Sequence, residues 1–322
     1  MKKVLIAILA VVAFASCANE ETLMEAPKQA IEFGDVFVDN ATRADYSNGL
    51  SLTDIVVCGT VTGVGGATVN IFNNVLVTGT VGGTWTYDSS EAQYWVPGAD
   101  YDFMAIGDQT AHYSDDTKDA NGMPTRLQTL INTATNLADM LYATAHVENA
   151  TANQGAVNFT FNHLLSKAKF TVTSNAQGDY YHTVKDIKVA NYGDGTYYIQ
   201  AVGDIAAGTW VGNPDETKDV PFGDIAQVTS AGAKSNGEML LVPVTADFNV
   251  AFTVETWYTK GTVDTADDVK VGTEPKTIPV DTDLVKGNAY NFTITCSMGN
   301  PIQFSVTNDP NGWGDGGSVN IQ

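Results

Sequence analysis

From residue 50 onward the chain is built of short runs of Val, Ile, Thr, Phe and Tyr broken by Gly, Asn and Asp. Runs of β-branched and aromatic residues bounded by turn residues are the pattern of antiparallel strands joined by tight turns. The clearest are Thr68 to Phe72, Asn74 to Val81, Gln93 to Val96, Tyr101 to Ile106, Val157 to Phe161, Lys169 to Thr173, Val184 to Ala190, Met239 to Val242, Phe248 to Thr256 and Tyr290 to Cys296. So many short strands separated by turn residues predict an all-β protein made of antiparallel β-sandwiches. A helical spacing stands out over Leu127 to Tyr142, where Leu127, Leu130, Ile131, Leu137 and Leu141 recur. It predicts a short helix covering a sheet, although the Asn and Thr between them dilute helix propensity.

Two terminal segments carry matching apolar faces. Ile31, Phe33 and Phe37 share one parity in the run Ile31 to Val38, which predicts a first strand. Ile302, Phe304 and Val306 do the same near the other end, and Val319 and Ile321 offer a second short strand after the glycine-rich turn Gly314 to Gly317. Segments with the same one-sided pattern can occupy one groove in turn. Gly299 and Pro301 interrupt the sheet before Ile302, so the tail 301–322 reads either as a detachable strand or as a last strand pair on its own domain. About 280 residues follow Arg43, too many for one seven-strand sandwich and suited to two, 44–162 and 163–300, with a junction near Asn162.

The N-terminus adds an export signal. Lys2 and Lys3 precede an apolar stretch from Val4 to Phe14 and then Ala15-Ser16-Cys17. This is the layout of a secretory signal over residues 1–17, too short for a permanent membrane span. Small residues before Cys17 fit a lipoprotein signal whose thiol carries the lipid; an ordinary signal cut at another small residue is the alternative. Residues 18–43 then form a polar tether plus the first strand. Arg43 and Arg126 are the two arginines of the chain. Arg43 lies in the polar break Asn40 to Asp45, where it is either a plain surface residue or an easy point of cleavage.

Charge narrows the partners. Acidic residues outnumber basic ones 37 to 16, for a formal charge of −21 with no basic cluster, so nucleic acid and anionic membrane surfaces are poor partners. Cys58 and Cys296, far apart in the chain, read as small buried hydrophobes, with a long-range bridge as the alternative.

Signals for catalysis or cofactors are weak. Ser166-Lys167-Ala168-Lys169 matches Ser-x-x-Lys, but that chemistry needs a helix, and Phe170 to Thr173 points to a strand that sends Ser166 and Lys169 to opposite faces. His112, His146, His163 and His182 lack metal-ligand spacing. Asp115, Asp116, Asp119 and Asn121 lack the terminal glutamate of a calcium loop. Trp85, Tyr87, Tyr94 and Trp95 could stack on a sugar or fill a core. No cofactor and no metal are expected, and the reading is not an enzyme.

In their order along the chain, these features resemble the fimbrillins, the subunits of type V pili in Bacteroidales. The resemblance rests on the signal ending at Cys17, Thr42-Arg43-Ala44, and Tyr94-Trp95-Val96-Pro97-Gly98 followed by Tyr101-Asp102-Phe103. It continues in Phe161 to Phe170, Lys286-Gly287-Asn288-Ala289-Tyr290 and a tail holding Trp313. It implies two transthyretin-like sandwich domains, a lipid-anchored outer-membrane precursor, and an arginine-specific extracellular protease cutting after Arg43 to leave Ala44 as the new N-terminus. It also implies that the strand of Ile31, Phe33 and Phe37 is displaced, and that Ile302, Phe304, Val306, Val319 and Ile321 of another subunit replace it in an extracellular fimbrium. The implied partners are copies of this chain, other fimbrial subunits and a receptor of unknown identity. A monomeric surface lipoprotein acting as an adhesin or glycan-binding module is the alternative.

Overall fold

Alternating burial along the chain gives three sheets in the computed structural model, which describes residues 28–38, 52–63, 65–80, 83–107, 118–129, 140–198, 208–243 and 248–310. Strands are numbered in chain order. The first sheet contains β1 (Phe33–Val38), β2 (Asp54–Thr62), β3 (Thr68–Thr78), β4 (Thr86–Tyr87), β5 (Asp100–Gly107), β7 (Leu141–Val147) and β8 (Val157–His163), in the order β1-β8-β7-β5-β2-β3-β4. The second runs β11 (Thr209–Val228), β10 (Tyr180–Tyr198), β14 (Phe248–Tyr258), β15 (Val269–Val280), with β6 (Arg126–Thr129) added on β10. The third runs β12 (Lys234–Ser235), β9 (Ser166–Ser174), β16 (Ala289–Cys296), β17 (Gln303–Asp309), with β13 (Met239–Leu241) also on β9. The protein is all-β, as its short β-branched and aromatic runs between turn residues predict.

Two of the pairings are parallel, β1 with β8 and β9 with β16. Both join segments far apart in the chain, as parallel neighbours must be.

The predicted helix over Leu127 to Tyr142 is not formed at either end. Residues 126–129 are β6, paired with the far end of β10, and Leu141 and Tyr142 open β7. Residues 130–139 lie outside the described residues. Of the spaced residues, Leu127 lies in one strand and Leu141 in another, and the Asn and Thr of this stretch are weak helix formers. Only two short 3-10 turns, Ser89–Glu91 and Thr265–Asp267, occur among the described residues.

Burial sorts into two cores. One lies inside the first sheet and includes Ile31, Phe33, Ile55, Phe72, Trp85, Trp95, Phe103 and Phe159. The other holds the second and third sheets, centred on Phe170, Val184, Phe252, Phe292 and Ile294, and takes in Cys58, Met104, Ile106, Met140 and Tyr142 from the first half of the chain. Neighbours along one strand thus serve different cores, Phe103 the first and Met104 the second. β8 passes into β9 through Leu164 and Leu165, both fully buried.

Cys58 and Cys296 are buried and are not joined in a disulfide, so the long-range bridge is not formed. The Cys58 thiol donates to Asn74 Oδ1 at 2.9 Å, and burial pushes the Cys296 thiol up to about 12. Ser166 is buried and its hydroxyl donates to the Val285 carbonyl at 2.9 Å.

Candidate functional site: the N-terminal strand and its groove

The first strand sits in a groove with partners on both flanks. On one side β1 runs parallel to β8, with Phe33 opposite Val157, Val36 opposite Phe159 and Val38 opposite Phe161. Just before it, the Glu32 carbonyl accepts the Val157 N–H at 2.8 Å. On the other side the segment 85–95 closes in. Ile31 N–H donates to Gln93 at 2.8 Å, Trp95 N–H donates to Gln29 at 3.1 Å, and bridges join Ala30 to Tyr94 and Phe33 to Trp85. The Tyr87 hydroxyl donates to the Ile31 carbonyl at 2.6 Å. Burial pushes the Tyr87 phenol up, which keeps it protonated as that donor. Phe33 therefore touches both ends of the strand order, since Trp85 directly precedes β4, and the segment shuts the seven-strand sheet almost into a ring.

Side chains complete the fit. Ile31 and Val36 are 0 % exposed and Phe33 is 2 %. The Phe33 ring lies 5.4 Å from Phe72, 5.6 Å from Tyr87 and 6.2 Å from Phe103, mostly edge-on, and stacks on Phe159 at 5.8 Å. Such aromatic pairs contribute beyond their area alone. Between Phe33 and Val36 the register shifts, so three steps along β1 match two along β8. A bulge of this kind changes which parity faces inward. Val36 takes the next inward position, a residue that simple alternation from Ile31 does not select. Phe37 lies in β1 opposite Thr160, and its side chain is outside the described residues. Gly34 stands where no larger residue fits unaided, because a Cβ there would lie 2.3 Å from Asn158 Oδ1 and 3.1 Å from the Ala156 Cβ.

The four aromatics considered for sugar stacking mostly build this groove. Trp85 and Trp95 are buried in the first core and Tyr87 contacts Phe33, while Tyr94 is exposed. Their role was not visible locally, because the groove forms only when residues 29–33 meet residues 85–95 and 157–161.

At the other terminus, β17 lies on the protein's own third sheet. It pairs antiparallel with β16 in unbroken register from Ala289 opposite Asp309 to Thr295 opposite Gln303. Ile302, Phe304 and Val306 are half-buried against the second core, and the Phe304 ring stacks on Phe292 at 6.1 Å. The described part of the tail, residues 301–310, thus lies on the third sheet. Cys17, Arg43, Ala44, Val319 and Ile321 lie outside the described residues.

The architecture is that of an all-β chain whose first sheet is closed by its own N-terminal strand. The family model for fimbrillin-like proteins matches residues 42–310, and this chain belongs to that family. Two solved structures are similar over 88 % of this chain. A candidate cell adhesion protein from Bacteroides uniformis is 18 % identical, covered over 98 % of its length, with a TM-score of 0.52. Another from Bacteroides ovatus is 16 % identical, covered over 96 %, also at 0.52. At these identities the likeness is one of fold. A comparison with curated proteins gives no match.

Proposed function

We propose that the chain is a structural subunit of a cell-surface fimbria, exported as a lipoprotein precursor anchored through Cys17 and cut after Arg43 by an arginine-specific extracellular protease. Removal of residues up to Arg43 takes away β1, and strand exchange with another subunit refills the groove. The observation that carries this reading is the seat of β1: one terminal strand supplies Ile31, Phe33 and Val36 to a sheet that is otherwise continuous. The family match begins at residue 42, so β1 lies outside the matched stretch and the rest of the fold lies within it. An opened groove of this size demands a new occupant, because exposed aromatic surface and an unpaired strand edge are both unfavourable in water.

The test is limited digestion with an arginine-specific protease. A product beginning at Ala44 that forms a ladder on a mild-detergent gel supports the reading, and an Arg43→Ala chain is expected to give no such product and no ladder. The seat of β17 on its own sheet favours a second reading, a monomeric surface lipoprotein acting as an adhesin or glycan-binding module. Under that reading the cut protein gives no ladder.

A further inference from the structure

The contacts that seat β1 in its groove come from residues 29–38. Gln29 and Ile31 bond the segment 93–95, the Ile31 carbonyl accepts the Tyr87 hydroxyl, and the Glu32 carbonyl accepts the Val157 N–H. Phe33, Val36, Phe37 and Val38 pair with β8, while Ile31, Phe33 and Val36 are enclosed. Arg43 follows all of them in the chain. A cut after Arg43 therefore removes none of these contacts. For β1 to leave, the Phe33 ring must part from Phe72, Phe103 and Phe159, and β8 and the segment 85–95 must lose their partner at the same time. Bare aromatic surface and an open strand edge are both unfavourable in water.

We infer, resting on the fimbrial reading above, that cutting and release are separate events. Residues up to Arg43 stay seated in the cut chain as a plug, and they leave only when a strand of another subunit displaces them. The role of the cut is then to make that exchange permanent. Before it, a displaced β1 is still joined to the body and returns at a high effective concentration; after it, the displaced plug diffuses away. Cys17, the anchor on that reading, belongs to the same peptide as β1. The cut body is thus held at the membrane by its grip on β1 instead of by a peptide bond, and it departs when its groove is filled. Its aromatic face stays covered between the two events.

The two events are separated by cutting the full chain in mild detergent with an arginine-specific protease, then running gel filtration at once with mass spectrometry of each peak. The fragment ending at Arg43 is expected to co-elute with the cut monomer, although a denaturing gel shows two pieces, and to be missing from the polymer peak. Tyr87→Phe keeps the ring beside Phe33 and removes the hydroxyl that holds the Ile31 carbonyl, so its fragment should leave the monomer severalfold faster. If the fragment elutes alone beside a monomeric body that later forms polymer, the cut itself empties the groove. This inference then fails while the fimbrial reading stands. If the chain gives no product beginning at Ala44, or the product forms no polymer at any time, the fimbrial reading fails and takes the inference with it.

Discussion

β1 and β17 are both edge strands near the ends of the chain, and they are held in opposite ways. β1 has an irregular ladder, parallel and bulged, yet Ile31, Phe33 and Val36 are fully enclosed and residues 29–33 find partners on two flanks. β17 has seven unbroken antiparallel pairs, yet its apolar face is half-exposed and among the described residues it has one neighbour. Regular hydrogen bonding and deep burial are thus separate properties of an edge. A ladder hydrogen bond contributes about 1 kcal/mol net, whereas a fully buried phenylalanine contributes about 1.5–3 kcal/mol. Side chains therefore anchor β1, and the backbone anchors β17.

This contrast can be broken most directly at Phe33. Phe33→Ala is expected to destabilise the uncut chain by about 3–5 kcal/mol, the usual cost of emptying an aromatic site, measured by chemical unfolding. An effect below 1 kcal/mol would mean that the ladder, and not the ring, holds β1.

Gly34→Val is expected to cost about 1–3 kcal/mol through overpacking against Asn158, and Asn158→Ala should restore part of it. Absence of rescue would place the strain in the backbone instead.

Phe304→Ala should cost about 1 kcal/mol, because the ring is half-exposed where it stacks on Phe292. Deleting residues 301–322 should likewise shift the thermal midpoint only modestly, and global unfolding of the truncated chain would show that β17 belongs to the second core.

The smallest effect is a pH control on a site away from both strands. His182 is buried, with Nδ1 2.7 Å from the Ser174 hydroxyl, and burial lowers its pKa. The folded ring then binds fewer protons than the unfolded one, so its contribution is present above the ordinary value near 6.5 and is lost as pH falls through the lowered value. His182→Gln is expected to flatten the stability profile just below pH 6.5 without changing the Phe33 and Phe304 comparison.

Much of the fold is legible from alternation alone, because one face of each strand meets a core: Val157, Phe159 and Phe161 read as a strand and form one. Ile31 and Phe33 are legible for the same reason. Val36 is not, because the bulge that turns it inward depends on pairing with β8. The roles of Trp85, Tyr87 and Trp95 are hidden for a related reason, since they meet β1 only after the sheet has curled. At its two described ends the stretch from Leu127 to Tyr142 misleads, because Leu127 and Leu141 belong to strands whose partners lie far away in the chain. Parallel pairing of β9 with β16 could not be read locally, as its partners lie more than a hundred residues apart.

The short passage from β8 to β9 has a mechanical meaning. Leu164 and Leu165 are buried, the Leu164 N–H donates to Met140 at 2.8 Å, its carbonyl accepts the Trp210 indole N–H at 2.8 Å, and the Leu165 carbonyl accepts the Gly287 N–H at 2.8 Å. A joint so tightly tied gives little when a thread is pulled or bent. In any filament made of such units, compliance would lie at the contacts between molecules, and shear from flowing liquid would load those contacts before it loaded the middle of each chain.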